Sequence, residues 1–254
     1  MNVEWTQAGR RVRFDWGPAG ADAVAPGAAL VAVVDVLSFT TTLTVAAERG
    51  IAVMPYRWRD DSAERVAREH EAVLAVGRRQ ARQPGQVSLS PESILRSTGI
   101  ERLVLPSPNG ATVSARLAAA GATVLGVSLR NADAAAASAL RRLGPGESVA
   151  VVAAGERWPD GSLRPAIEDL WGAGAFIEAL VRRGAGDLSP EAGAALAAYR
   201  SVADDLGSAL RDCASGRELR AHGFPGDVTL AAEVGATKAV PILVKDWFMA
   251  DSAA

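Results

Sequence analysis

The sequence predicts a three-layer α/β/α fold, with a largely parallel or mixed sheet between helices and a helical section at the C-terminus. Three features carry this expectation. Short apolar runs that read as buried strands alternate with amphipathic stretches at the spacing of βα units. The runs end in loops rich in Gly, Pro, Asn and hydroxyl residues, where open α/β sheets hold their ligands. After Gly186 the strand-like runs give way to a long helical stretch.

Residues 31–34, all Val or Ala, form the first run and read as a strand covered on both faces. It stops at Asp35, and a hydroxyl cluster of Ser38, Thr40, Thr41 and Thr42 precedes a helix expected over 43–47. Further runs repeat the plan. Residues 73–76 lead into Gly77, Arg78 and Arg79, and 102–105 into Pro106-Ser-Pro-Asn-Gly110 and a helix over 112–119. Residues 123–127 lead into Leu129-Arg-Asn131 and a helix ending near Leu143; 148–153 lead into Ala154-Gly-Glu156 and a helix over 165–183. Ser189-Pro190-Glu191 is a helix-start signal, opening a stretch that reads as helical to about His222, and 239–244 supply one last strand. The helical section is expected to pack on the sheet, so residues 1–254 are read as one domain, with 184–189 as the best internal boundary. The strand loops are expected to converge on one edge.

At 254 residues the chain can bury a substantial core without disulfides or metals. Its 49% hydrophobic and 22% charged content is that of an ordinary globular protein. A net charge of −2 with the signs well mixed lacks the basic footprint of a nucleic-acid binder. The single cysteine, Cys213, excludes an intrachain disulfide, and two histidines offer little for a zinc site. No stretch approaches the ~18 uncharged apolar residues of a membrane span, and the N-terminus carries no apolar signal core. These features predict a cytoplasmic protein without nucleic-acid or membrane partners, with a homodimer left open.

The candidate chemistry lies in the loops. Asp35 is placed near the carboxyl end of its strand, and Ser38, Thr40 and Thr41 near a helix start, where free N–H groups and the dipole favour an anion. A good N-cap beside a buried, hydrogen-bonded Asp accounts for the same residues. In the Asn109-Gly110 turn the glycine lets backbone approach a ligand, although such pairs are common in ordinary turns. Glu168 and Asp169 suit the first turn of a helix on dipole grounds alone. Gly172 and Gly174 weaken that helix by roughly 1 kcal/mol each relative to Ala, which points to close packing or room for a ligand. Glu168 and Gly172 share a helix face, so the carboxylate is expected to look over an open surface. The apolar stripe of this helix is expected at Ile167, Leu170, Gly174, Ile177 and Val181. Asp35 and Glu168, with Asp169 or Glu156 in reserve, make a set suited to Mg²⁺, which takes one or two carboxylates and keeps waters and phosphate oxygens. Such an ion would polarise a phosphoryl group and neutralise the leaving oxygen.

From about Val31 to Leu243 the chain resembles the 2-phosphosulfolactate phosphatase (ComB-like) family. The resemblance rests on Asp35-Val-Leu with Thr40-Thr41, Gly77 with Arg79, Ser90-Pro91, Asn109-Gly110, Val124-Leu-Gly126 with Asn131, and Ala154-Gly155. It continues through Glu168-Asp169 with Gly172-Ala-Gly174, Tyr199-Arg-Ser201, Asp204-Asp-Leu206, Gly216-Arg217 and Gly223-Phe224. It implies a magnesium-dependent hydrolase converting 2-phosphosulfolactate, a small anionic phosphate ester, to sulfolactate and phosphate, a step associated with coenzyme M biosynthesis. The leading reading gives catalytic roles to Asp35, as a metal-associated carboxylate or the nucleophile, and to Glu168, metal binding to Asp35, Glu168 and Asp169, and substrate contacts to Ser38, Thr40, Thr41, Arg79, Asn109, Gly110, Asn131 and Gly155, with attack by a metal-oriented water or by Asp35 itself.

Several positions depart from the family pattern. Ser38 and Phe39 replace Arg-Ala after Asp-Val-Leu, and Arg78 replaces the acid of Gly-Glu-Arg. The Asp-Leu-Gly-Asn-Ser-Pro segment reads Gln86-Val-Ser-Leu-Ser-Pro91, Pro106 and Pro108 replace hydroxyl residues, and Ser215 replaces a histidine. Two functions compete: a phosphatase retuned for another ester, and a non-catalytic anion-binding or regulatory protein on the same scaffold. A nucleotide-binding enzyme is weaker, because neither a Walker-type nor a complete Gly-x-Gly-x-x-Gly signature occurs. The insertion from Trp158 to Arg164 is either a lid over the site or an ordinary surface loop.

Overall fold

The computed structural model describes residues 2–57, 61–81 and 86–251. β1 (Val12–Trp16) and α1 (Gly17–Val24) precede β2 (Leu30–Val34), which leads through Asp35 into α2 (Phe39–Glu48). Next come β3 (Ala52–Tyr56), α3 (Asp61–Glu69), β4 (Val73–Leu74), α4 (Pro91–Arg96), β5 (Arg102–Pro106), α5 (Gly110–Ala119), β6 (Thr123–Val127), α6 (Ala132–Arg142) and β7 (Val149–Ala153). A small hairpin, β8 (Glu156–Arg157) with β9 (Leu163–Arg164), precedes the long α7 (Ile167–Arg182). The chain closes with α8 (Pro190–Arg200), α9 (Leu206–Asp212), α10 (Ala214–Ala221), α11 (Pro225–Ala231) and the hairpin of β10 (Pro241–Val244) with β11 (Trp247–Ala250).

The three layers follow from the alternation along β2. Leu30, Ala32 and Val34 face a core shared with α6, α7 and α8, whereas Val31 and Val33 face a second core shared with α1, α2 and α5. All five residues are buried, which is why the strand reads as one continuous apolar run rather than an alternating one. β2 lies between β7 and β6, parallel to both, and β1 extends this group beyond β7.

The sheet is mixed. Among the described residues its order is β1-β7-β2-β6-β10-β11-β3-β5-β4. The β10–β11 hairpin joins two parallel groups through antiparallel seams, Ile242 against Leu125 and Phe248 against Val53. Three antiparallel steps reverse the strand direction between β2 and β5. The expectation that all strand loops share one edge is therefore corrected. The loop after β5 nevertheless reaches the end of β2, where Gly110 N meets the Asp35 carboxylate.

The expected elements do not include β1, α1, β3, α3, α4, the β8–β9 hairpin, α11 or β11, and three helices begin elsewhere than expected, α5 among them at Gly110 rather than 112. α2 begins at Phe39, so Thr40, Thr41 and Thr42 lie inside the helix rather than before it. Their hydroxyls are absorbed by nearby carbonyls: Thr41 donates to Val36 O at 2.7 Å and Thr42 to Ser38 O at 2.9 Å, a local bonding pattern that threonine adopts readily. α7 begins at Ile167, after extended Ala166. Its buried surface is wider than the predicted stripe and includes Trp171, Ala173, Phe176, Ala179 and Leu180, because α7 is sandwiched between the sheet and α8; Ile167 is instead exposed. Among the described residues no helix is long and apolar enough to cross a membrane.

Candidate active site

The structure brings four carboxylates and a set of backbone amides to the end of β2. Asp35, on the residue after the strand, is buried and held at both oxygens. Phe39 N donates to Oδ1 at 3.1 Å and Gly110 N donates to Oδ2 at 2.9 Å. The Thr40 hydroxyl donates to the Asp35 carbonyl at 2.8 Å and lies 3.0 Å from the Asp35 amide, closing the β2–α2 turn. Burial, followed by the negative charge of Glu156, pushes the Asp35 carboxyl up to about 7; the two backbone donors pull against that rise, and Glu168 adds to it. A carboxyl near neutrality is equipped to take or give a proton under ordinary conditions.

The first turn of α7 supplies two more acids. Asp169 accepts from Val36 N at 2.7 Å and from Gly155 N at 2.9 Å, so it ties the loop after β2 to the loop after β7. Burial and then the charge of Asp35 hold its carboxyl well above the ordinary value. Gly155 has φ +66° and a Cβ there would meet Leu163 Cδ1 at 2.7 Å, so both backbone and space call for glycine. Glu168 is only 2% exposed, and among the described residues its buried Oε2 has no hydrogen-bond partner. The expectation of an open surface beside Glu168 is corrected. A Cβ on Gly172 would meet Val36 Cγ2 at 2.6 Å and Val34 Cγ1 at 2.8 Å, so this glycine serves helix-to-strand packing. Gly174 instead serves helix-to-helix packing, against Ala195 and Tyr199 of α8.

Glu156, the fourth acid, accepts from Asn109 Nδ2 at 2.9 Å. Burial raises its carboxyl, against the pull of Asn109 and Arg164. Both residues line a cavity of about 300 Å³ that also touches Ala154, Arg116 and Leu163. The Trp158 insertion forms the β8–β9 hairpin on this side. Trp158 is exposed, with the Arg164 guanidinium 5.8 Å from its ring centre.

The C-terminal helices wall the other side. Cys213 lies at the α9–α10 junction, and burial, with the charge of Glu168 next, pushes its thiol up to about 12, which removes it as a nucleophile near neutral pH. Arg164 reaches Ser215 Oγ at 3.4 Å. Arg78 donates through Nη2 to Ser38 Oγ at 2.7 Å and through Nε to Asp227 Oδ2 at 3.0 Å. The sequence reading did not propose Arg78, Asp227, Arg164 or Cys213 for the site; only the departure at Arg78 hinted at one of them.

Not every proposed contact residue offers its side chain to a ligand. The Thr40 and Thr41 hydroxyls are taken by backbone groups and both residues are fully buried. Asn131 is corrected as a substrate contact: its amide bonds Gly126 O, Ala239 O and Ser128 N, so it braces the turn after β6. Gly155 acts on Asp169 through its N–H, and Gly110 on Asp35. Ser38 meets Arg78. Arg79 is exposed in the loop after β4.

Among the described residues no three His, Cys, Asp or Glu side chains are arranged to ligate one ion. A cage built wholly of protein ligands is therefore not formed. The donor chemistry nonetheless suits a hard cation that keeps its waters: four hard carboxylates repel one another, and one buried oxygen has no donor.

A three-layer α/β protein that gathers acids and backbone amides at the end of a central strand has the layout of α/β proteins that hold their ligands at strand ends. The profile of the 2-phosphosulpholactate phosphatase family matches residues 21–246. A probable 2-phosphosulfolactate phosphatase of Thermus thermophilus is 35% identical over 219 residues, 84% of this chain and 87% of its own length. Another, from Deinococcus radiodurans, is 32% identical over 238 residues, 92% of this chain and 93% of its own. The chain belongs to the 2-phosphosulfolactate phosphatase family.

Proposed function

We propose that the protein is a magnesium-dependent phosphatase that hydrolyses a small acidic phosphate monoester, 2-phosphosulfolactate by kinship, to the hydroxy acid and phosphate. The observation that carries this reading is Asp35, a buried carboxyl held near neutrality beside the unpartnered Oε2 of Glu168. Glu168 would bind the ion directly, with Asp35 and Asp169 reached through the ion's waters, and the bound ion would supply charge neutralisation on the phosphoryl and leaving oxygens. Asp35 takes the proton of the attacking water, its carboxylate kept in place by Phe39 N and Gly110 N. Asp169 keeps the two loops in register, and Asn109 holds Glu156 at the cavity wall. Arg79, in the loop after β4, and Ser38, just before α2, would serve as contacts for the anion. Residues 1–254 act as one domain in this reading, since α9 and α10 supply part of the site wall, and the setting is cytoplasmic, within coenzyme M biosynthesis.

The test is phosphate release from a panel of monoesters, including 2-phosphosulfolactate and phospholactate, with Mg²⁺ and with EDTA. Magnesium-dependent release establishes the phosphatase, and the preferred ester names the substrate. Folded protein that releases no phosphate from any ester would sink the reading in favour of an anion-binding scaffold.

A further inference from the structure

Arg78 is held as an oriented guanidinium between the β2–α2 turn and α11. Asp227, fully buried, accepts from its Nε at 3.0 Å and is itself fixed by Ser90 Oγ and by Glu92 N at 3.4 Å. Ser38 Oγ lies 2.7 Å from Nη2, and the Phe224 ring lies 5.8 Å from the guanidinium carbon. The side chain keeps 18% of its surface exposed, and Nη1 has no partner among the described residues. Three neighbours thus fix the plane of the fork while one edge remains available, the arrangement that suits arginine to forked recognition of an oxyanion.

Its position narrows the role. Ser38 is three residues beyond Asp35 in the same β2–α2 turn, so Arg78 docks on the turn that carries the central acid, yet it bonds none of Asp35, Glu156, Glu168 or Asp169. Residues 38 and 78 are also two of the positions at which the sequence departs from its family pattern, and in space they touch. We propose that Arg78 is the specificity-determining residue of the site, docking the carboxylate or sulfonate of the substrate while the phosphoryl group lies at the acids. The proposal rests on the phosphatase reading. A purely structural ion pair would tie the loop after β4 to α11 and do nothing more.

The experiment compares phospholactate and 2-phosphosulfolactate, which carry a second anion, with p-nitrophenyl phosphate, which does not. In Arg78→Met the ratio of kcat/KM for the doubly anionic esters to that for p-nitrophenyl phosphate is expected to fall about 10- to 100-fold, mainly through KM, the scale of losing one charged docking contact. Arg78→Lys keeps the charge without the fork and should fall between. Because Arg78→Met strands a buried Asp227, Arg78→Met/Asp227→Asn supplies a neutral partner and should show the same loss. Ser38→Arg/Arg78→Ser returns a guanidinium from the other side of the contact and should recover part of the ratio. A ratio within threefold of wild type in both methionine variants overturns the proposal. Should the unmodified protein release no phosphate, the phosphatase reading fails by itself, and calorimetric titration with sulfolactate and with inorganic phosphate decides Arg78. Selective loss of sulfolactate affinity in Arg78→Met then supports the docking role, and equal affinities reject it.

Discussion

The backbone N–H of Gly110 donates to Oδ2 of Asp35 over 2.9 Å, joining the start of α5 to the end of β2 across 75 positions of sequence. The contact exists because residue 110 has no side chain. A Cβ there would stand 2.7 Å from Asp35 Oδ2 and run into the Phe39 ring. Gly110→Ala is expected to cost about 1–3 kcal/mol through overpacking. That corresponds to a Tm lower by roughly 2–12 °C for a chain of this size. Phosphate release should fall with it, because the displaced group is the Asp35 carboxylate. Calorimetry and a phosphate assay on the same preparation check both parts; an unchanged Tm would show that α5 can move aside.

Asp35 also makes a prediction about pH. Its carboxyl sits at about 7 in the folded protein against an ordinary 3.8, so between these values the folded state keeps a proton that the unfolded chain has released. Stability falls with rising pH wherever the folded state holds more protons. The contribution from Asp35 is therefore fully present below about pH 4 and is lost as pH rises through about 7. Without Mg²⁺, the stability of wild type relative to Asp35→Asn should decline over that window, as read by urea unfolding at a series of pH values in EDTA. A difference that stays flat with pH would contradict the burial and repulsion assigned to this carboxyl.

Magnesium should reverse that loss. A ligand that binds only the folded state stabilises it by about 2.7 kcal/mol at a hundred times its Kd. Wild type is expected to gain several degrees of Tm in millimolar Mg²⁺, with a larger gain at pH 8 than at pH 5. Glu168→Gln, which replaces the unpartnered buried oxygen with an amide, should lose most of the gain. Equal gains in wild type and variant would remove Glu168 from the metal site.

Asp169 has a structural burden that can be separated from chemistry. Its two oxygens accept from Val36 N and Gly155 N, and truncation leaves both buried amides unsatisfied. Each unsatisfied donor costs about 1–3 kcal/mol. Relief of repulsion with Asp35 and Glu168 offsets part of that sum. Asp169→Ala should consequently lower the urea midpoint clearly, and Asp169→Asn, which keeps one acceptor, by less. The reverse order of the two variants would refute the fastening role.

Hydroxyl Oγ1 of Thr40 bonds the Asp35 backbone, so its contribution is to the shape of the turn. Thr40→Val keeps the volume and removes the bonds, and a loss of about 0.5–1.5 kcal/mol is expected in equilibrium unfolding. If Thr40→Val instead abolished phosphate release at unchanged stability, the hydroxyl would be touching substrate after all.

The apolar run at 31–34, the acid that ends it, and the alternation of strands with helices are local patterns, and they were legible in the chain alone. Periodicity reports which faces an element buries, and that is enough to predict three layers with Asp35 at a strand end. β1 was legible in principle, since Val12, Phe14 and Trp16 alternate with Arg13 and Asp15; β3 was obscured by Pro55. Tertiary structure decided the rest. The β10–β11 hairpin reverses half the sheet, and Gly110 still meets Asp35, a result that no single strand encodes. Arg78 meets Asp227 across 149 positions and Asn109 meets Glu156 across 47, so neither pair leaves a spacing signal in the sequence. The ionisation of Asp35 was likewise out of reach, because it depends on how deeply the group is buried and which charges surround it, and both are properties of the packed molecule.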